Sequence, residues 1–568
     1  MKIALAQQNY HIGNFEANTE KIIEGIARAK EAGADLIIFP ELSVCGYPPR
    51  DFLEFNDFIN KCYDAVDTIR EHADTIGVLL GAPTRNENTD GKDLFNSAYL
   101  LYEKQVKGVI NKTLLPNYDI FDEYRYFEPA SEWIVLEVKG KKLAVTICED
   151  IWNMGDNPLY RVTPMEELIK FQPDIMLNLS ASPYNYAQDV VRNSIVKAHT
   201  LKYNLPMVYC NAVGSQTEIV FDGGSLVYDK AGNKIAEAKY FEEDFLMVDL
   251  NELVSKEALQ KTEADVDIYF SARDVRAGRN TLDYLRDEKN ISEIHQALIL
   301  GIRDYFSKMG FKKAILGSSG GIDSAVVLAL AVEALGKENV TAVLMPSQYS
   351  TGHSVNDAEQ LSKTLDNPYH VIPIKGIYDA FLTELHPLFK DLPFSIAEEN
   401  IQARTRGNLL MAIANKFGYI LLNTSNKSEL AVGYGTLYGD MAGGLSVLGD
   451  VYKTQVYALA NYINREKEII PNHIITKAPS AELRPNQKDS DSLPDYGDLD
   501  TILFEYIEDR LDPKEIIALG YDEKLVNRIL RLVNINEYKR NQFCPIIRVS
   551  YKAFGVGRRM PIVGKYLS

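Results

Sequence analysis

The sequence predicts an α/β protein of two domains, the first on a mixed sheet with helices outside it, the second on a doubly wound parallel sheet. Three observations predict this. Short β-branched runs alternate with helical patterns in both halves, a charged and turn-rich stretch separates the halves, and 568 residues exceed what one hydrophobic core usually organises. Apolar residues at 46% and charged residues at 25% are globular values that exclude disorder, collagen and coiled coil.

Lys2 to Ala6 reads as a strand, and Ile22, Ile23, Ile26 and Ala29 recur at helical spacing until Gly33 offers a cap. Leu36 to Phe39 is a buried strand, a pattern repeated by Gly77 to Gly81, Ala98 to Leu101, Leu143 to Ile147, Ile175 to Asn178 and Met207 to Cys210. From Leu253 to Asn290 the pattern dissolves, most clearly in Lys261 to Asp265 and Arg276 to Asn280. Residues 1–260 are therefore read as the first domain, 261–290 as a linker and 291–568 as the second domain. In the second, Ile294 to Phe306 is an amphipathic helix, Ala314 to Leu316 a strand feeding a Gly/Ser turn, Ala325 to Leu335 an apolar helix and Val340 to Leu344 a further strand. That rhythm places a ligand site at the carboxyl ends of parallel strands. Pro479 to Tyr496, with its Pro, Asp, Ser and Asn, reads as a long functional loop.

Lys and Arg number 61 against 79 Asp and Glu, a net charge of −18, which argues against nucleic acid or a membrane surface as partner. No apolar run reaches membrane-spanning length and the start is too short for a secretory signal, so a soluble cytoplasmic protein is expected. Cys45, Cys62, Cys148, Cys210 and Cys544 are scattered and form no CxxC pair, which suits reduced thiols. The eight histidines include no HExxH, so a zincin-type metal site is not expected.

Three strand ends in the first domain carry candidate chemistry: Phe39-Pro40-Glu41-Leu42, Asn111-Lys112-Thr113 and Ile147-Cys148-Glu149-Asp150. Cleaving an amide through a cysteine needs a base for the thiol proton, a cation or amide hydrogens for the oxyanion, and a reachable carbon. Glu41, Lys112 and Cys148 supply that set, with Lys112 offsetting the charges of Glu149 and Asp150 beside the thiolate. Singly, each residue is more ordinary: a buried small hydrophobe, a turn acid, a surface lysine. Together, the order Glu, Lys, Cys after three strands resembles the nitrilase or carbon-nitrogen hydrolase superfamily over roughly the first 260 residues. The resemblance implies a nitrilase-like α-β-β-α sandwich with Glu41 as general base, Lys112 as oxyanion stabiliser and Cys148 as nucleophile. It adds Glu123 beside the triad, and Tyr118, Ser182 and Gln188 as glutamine contacts.

In the second domain Gly317-Ser318-Ser319-Gly320-Gly321-Ile322-Asp323-Ser324 lies between a strand and a helix. Glycines let backbone N–H groups approach phosphate oxygens, hydroxyls add donors and the helix N-terminus favours the anion. No Lys follows, so this is not a Walker A loop. Asp323 offers a carboxylate to Mg²⁺, which screens a triphosphate. A ligand-free tight turn and the G-x-S-x-G elbow of an α/β-hydrolase remain open at this point, since His353, His370, His386 and His473 follow downstream.

Ser319 to Ser324 resembles the loop of N-type ATP pyrophosphatases, whose fold is adenine nucleotide alpha hydrolase-like. Met345 to Ser350, Glu399 to Arg406, Thr424 to Glu429, Tyr438 to Asp440 and Pro479 to Leu483 resemble NAD synthetases in order along residues 291 to 568. Behind a nitrilase-like domain, the resemblance is to glutamine-dependent NAD synthetases. It implies ATP as co-substrate held by Gly317 to Ser324 and Thr424, deamido-NAD met by Asn400, Glu429 and Lys539, and Mg²⁺ held by Asp323 and Glu429. Lys453 is a further candidate for phosphate charge. The implied enzyme hydrolyses glutamine, passes ammonia along a shielded passage, and forms NAD through an acyl-adenylate as a homo-oligomer. An ATP-dependent amidotransferase for another acid, and a scaffold with two vestigial sites, are the rival classes.

Overall fold

Alternation along the first strand sets the layers of the N-terminal part of the chain. In Lys2–Gln7, Ile3 and Leu5 enter one apolar core while Ala4 and Ala6 enter another. Leu36 and Ile38 join the first core, Ile37 the second. Period-two side chains that are apolar on both faces require a layer on each side of the sheet.

The computed structural model describes residues 1–88, 90–154, 159–255, 268–485, 487–491 and 493–567. The chain divides into two compact units, Met1–Ala277 and Gly278–Ser568. The expected linker at 261–290 contains that division. Residues 261–267 lie outside the described residues, and the remainder includes helices Ala272–Arg276 and Thr281–Leu285 and the start of helix Glu288–Met309. The first two escaped the periodicity because they are set by their caps: Ser271 accepts from the Asp274 N–H, and Asn280 from those of Leu282 and Asp283.

The first unit holds two six-stranded sheets. One runs in the order Asp244–Asp249, Lys2–Gln7, Leu36–Ile38, Gly77–Arg85, Leu94–Tyr102, Gln105–Asn111. The other runs Lys234–Glu237, Leu226–Tyr228, Met207–Asn211, Ile175–Ser180, Lys141–Ile147, Leu136–Val138. Their inner faces share a core in which Leu5, Ile38, Leu79 and Leu100 meet Val145, Leu177, Val208 and Val227. Helix Phe15–Glu31 covers the outer face of the first sheet through Ile22, Ile26 and Ala29, and Gly33 at φ +74° ends it. Helix Gln188–Tyr203 covers the second through Val191, Ile195 and Val196. This is the α-β-β-α sandwich, with parallel strands at the centre of each sheet.

The second unit is built on a fully parallel sheet in the order Tyr369–Val371, Val340–Leu344, Ala314–Gly317, Ile420–Asn423, Leu445–Ser446. Helix Ile396–Phe417 packs Leu410 and Ala414 onto Ile315, Val343 and Leu421. The expected helices extend over Glu288–Met309 and Ile322–Leu335. The order reverses at Ala314–Gly317, whose neighbours come from later in the chain on either side, so a crevice opens beyond its carboxyl end. No described helix is long and apolar enough to cross a membrane, and all five cysteines are free thiols.

Candidate active sites

The first site gathers where strands of both sheets end. Glu41 follows Leu36–Ile38, Lys112 follows Gln105–Asn111 and Cys148 follows Lys141–Ile147. Lys112 is fully buried, and its Nζ donates to Glu41 Oε1 at 2.7 Å and to both Glu123 oxygens at 2.9 Å. Asn96 Nδ2 donates to Glu41 Oε1 at 2.7 Å, the Ala181 N–H to Glu41 Oε2 at 3.1 Å, and the Tyr47 hydroxyl to Glu123 Oε1 at 2.8 Å. Among the described residues Glu41 Oε2 accepts the Ala181 backbone bond alone, which leaves a lone pair for a proton.

Burial disfavours the Lys112 charge, yet Glu123 and Glu41 outweigh it and raise its pKa. The Glu123 pKa also rises, which for an acid disfavours its charge: burial pushes it up to about 7, with Glu41 adding to the effect and Lys112 opposing it. Burial also raises the Cys148 thiol, with Glu41 and Glu149 adding to the effect and Lys112 opposing it. Cys148 is therefore a neutral thiol at rest, and its proton would have to leave for the sulfur to attack a carbon. Cys148 sits at φ +40°, a left-handed conformation that costs a non-glycine residue about 1–3 kcal/mol.

The neighbouring acids differ from each other. Glu149 accepts from the hydroxyls of Tyr118 and Tyr160 at 3.0 Å, and burial pushes it to about 7. Asp150 instead accepts three backbone N–H bonds, from Ile147, Thr113 and Leu114. Of the expected glutamine contacts, Tyr118 reaches the cluster through Glu149, Ser182 is buried with its N–H on Asn211 Oδ1, and Gln188 opens helix Gln188–Tyr203 with its Oε1 held by Asn185. Sequence reasoning passed over Asn96, Tyr47 and Tyr160. Asn96 had a visible signal, a lone amide within a buried strand.

The second site lies at the switch point. Gly317–Ser324 turns from strand to helix with Gly320 at φ +77°, where a Cβ would fall 2.1 Å from the Ser354 carbonyl oxygen. Ser319 Oγ meets Ser324 Oγ at 3.2 Å and accepts from the Gly321 N–H. Its described partners include no histidine, which leaves the elbow without its base. The Ser318 hydroxyl is buried with no partner. All of the loop except Gly320 lines one pocket together with Thr424, Glu429, Lys453, Arg406, Asp489 and the wall Pro479–Leu483.

Lys453 Nζ bridges Asp323 Oδ2 at 2.5 Å and Glu429 Oε1 at 3.3 Å. Burial opposes the Lys453 charge, but Asp323 and Glu429 raise its pKa overall. Burial and then Asp323 push Glu429 to about 8. Asn400 and Lys539 stand apart from that pocket's lining. Asn400 accepts from Thr436 Oγ1 at 2.7 Å, and Lys539 Nζ donates to the carbonyls of Gly433 and Gly435 at 2.8 and 2.9 Å. Both hold the turn that presents Tyr434, Gly439 and Asp440 to the pocket. Asp323 and Glu429 are hard oxygen donors of the type Mg²⁺ takes in ones or twos alongside substrate phosphates. Among the described residues no cluster of three or more His, Cys, Asp and Glu side chains could hold a metal by itself.

Residues 2–256 match the carbon-nitrogen hydrolase family model and residues 294–543 the NAD synthase model. The chain is 45% identical over 569 residues to a glutamine-dependent NAD(+) synthetase of Synechocystis sp., covering 99% of this chain and 98% of that one. It is 42% identical to the same-named protein of Thermotoga maritima, over 100% of this chain and 99% of the other. Among solved structures, the glutamine-dependent NAD+ synthetase of Acinetobacter baumannii in complex with ADP superimposes with a TM-score of 0.74 at 39% identity, covering 99% of this chain and 98% of that one.

Proposed function

The chain belongs to the glutamine-dependent NAD(+) synthetase family, carbon–nitrogen ligases that use ATP as co-substrate, and from that premise we propose how its residues divide the work. In the first unit Cys148 attacks the side-chain amide carbon of glutamine while its proton passes to Glu41 Oε2. Lys112 stabilises the oxyanion, and Glu123 holds Lys112 in place and charged. Collapse of the tetrahedral adduct releases ammonia and leaves a thioester, which water then opens to glutamate. Glu149, presented by two tyrosine hydroxyls, supplies negative charge for the α-ammonium of glutamine.

In the second unit the loop Gly317–Ser324 and Thr424 hold ATP, and the unpartnered Ser318 hydroxyl is the donor that a phosphate oxygen satisfies. The nicotinate carboxylate of deamido-NAD attacks the α phosphorus, pyrophosphate leaves, and ammonia displaces AMP from the acyl-adenylate. Lys453 neutralises charge on the phosphates. Asp323 and Glu429 would hold Mg²⁺, which supplies further neutralisation on the phosphates when bound. Asn400 and Lys539 shape the turn against which the dinucleotide rests. A homo-oligomer in the cytoplasm completes the reading, and exposed Leu388, Leu392 and Ile396 on the second unit supply apolar surface for association.

The observation that carries the reading is that one chain furnishes the residues for both chemistries: a buried Glu41–Lys112–Glu123 cluster within electrostatic reach of Cys148, and a Gly/Ser loop at a parallel-sheet switch point. The test is pyrophosphate release from ATP with deamido-NAD, with and without glutamine, and identification of the product. Stoichiometric pyrophosphate and NAD are expected. Amidation of a different acid, with deamido-NAD inert, would refute the substrate assignment.

A further inference from the structure

Asp150 follows the nucleophile by two residues and is 2% exposed. Burial raises its carboxyl to about 6, against three backbone hydrogen bonds that lower it. Those bonds have an uneven distribution. Oδ2 accepts from the Ile147 N–H at 2.9 Å, immediately before Cys148. Oδ1 accepts from the Thr113 and Leu114 N–H groups at 3.0 and 2.8 Å, immediately after Lys112. Ile147 ends a strand of one sheet, and Lys112 leaves the edge strand of the other.

The two chain segments that carry the nucleophile and the ammonium thus share a single side chain. The Lys112 ammonium is itself held by Glu41 and Glu123, and Asp150 adds the tie between the backbone that carries it and the backbone that leads into Cys148. Cys148 is in a left-handed conformation at φ +40°, which persists only where surrounding bonds over-determine it. The Lys112 backbone is tied on its own side to the Asn96 carbonyl and the Ala130 N–H, neither of which reaches the cysteine turn. We propose that Asp150 is a positioning residue for the glutaminase reaction: by clasping the exits of two strands from opposite sheets, it sets where the Lys112 ammonium lies relative to the Cys148 sulfur. The carboxylate form is required, because both oxygens act as acceptors.

This rests on the glutaminase reading above. The test is Asp150→Asn in the full chain. A carboxamide keeps one acceptor and turns its NH₂ toward an N–H group, so one side of the clasp opens. Glutamine hydrolysis should lose kcat on the order of 10²-fold with KM little changed, the scale of a misplacement near 1 Å. A second readout separates positioning from stability: the pH dependence of Cys148 alkylation by iodoacetamide, mapped to the residue by mass spectrometry. Burial and then Glu41 raise the thiol pKa and Lys112 lowers it, so moving Lys112 away shifts the alkylation midpoint upward. A purely structural clasp would lower thermal stability and leave the midpoint in place.

If Asp150→Asn does not fold, the clasp is cut from the other side by replacing Leu114 with its α-hydroxy analogue, a backbone ester that deletes one donor. The midpoint should again rise, and an unmoved midpoint overturns the inference. Glutaminase activity that survives Cys148→Ala would defeat the underlying reading. Activity lost in Cys148→Ala, with a wild-type kcat and midpoint in Asp150→Asn, would defeat this inference alone.

Discussion

Replacing Lys112 by methionine removes the ammonium hydrogen-bonded to Glu41 and Glu123 while nearly keeping volume. Glu123 is pushed to about 7 even with Lys112 present, a displacement from 4.5 that costs its ionised form about 3 kcal/mol at 1.36 kcal/mol per unit. Without the lysine, breaking a buried ion pair from one side costs about 3–5 kcal/mol wherever the carboxylates stay ionised. The loss has a definite pH sign. An acid whose folded pKa is raised keeps a proton that the unfolded chain has released, so stability falls as pH rises from about 4.5 through the folded value. The Lys112→Met enzyme should therefore be hurt more at pH 8 than at pH 6, where Glu123 is protonated. The assay is hydrogen exchange of strands Leu36–Ile38 and Lys141–Ile147, corrected for intrinsic pH dependence. At pH 8 exchange should accelerate from about 10²-fold to about 5 × 10³-fold, the equivalent of about 3–5 kcal/mol, and distinctly less at pH 6. Equal acceleration at both pH values, or none, would refute the charge-sharing account.

Lys453→Met should cut synthesis from glutamine and from ammonia alike, with kcat down on the order of 10²-fold, while glutamine hydrolysis persists. Gly320→Ala must displace the Ser354 carbonyl from a Cβ 2.1 Å away. ATP-dependent pyrophosphate release should fail and the second unit should lose at least about 1–3 kcal/mol of stability, measured by denaturant titration. Because burial places Glu149 at about 7, the KM for glutamine should rise as pH falls below that value, and Glu149→Gln should flatten the dependence. A steep acid limb retained in Glu149→Gln would remove Glu149 from substrate binding.

The strands of the first unit, the parallel sheet of the second and its switch point were legible because they rest on apolar runs and strand-turn-helix patterns that a sequence displays directly, whereas the pairing of two sheets in the first unit came from the family resemblance. The residues Glu41, Lys112 and Cys148 were legible because each follows a strand. What sequence could not display was contact between distant segments. Asn96 lies 55 residues from Glu41, and nothing in its local pattern points to that partner. Lys453 reads as one phosphate-binding cation among several until Asp323, 130 residues away, is found beside it. Asp150 reads as a charge hostile to a thiolate, but its carboxylate is turned to three backbone N–H groups. The two short helices near residue 277 were invisible because side-chain caps define them rather than apolar spacing.

The claim most exposed to test is that nitrogen release and nitrogen use are separate chemistries joined in one chain. Its most direct measurement is NAD formation by Cys148→Ala supplied with glutamine or with ammonium, each at matched ATP and deamido-NAD. The account predicts no synthesis from glutamine and wild-type synthesis from ammonium. Loss of both in a protein of unchanged stability, or synthesis from glutamine without the thiol, would contradict it.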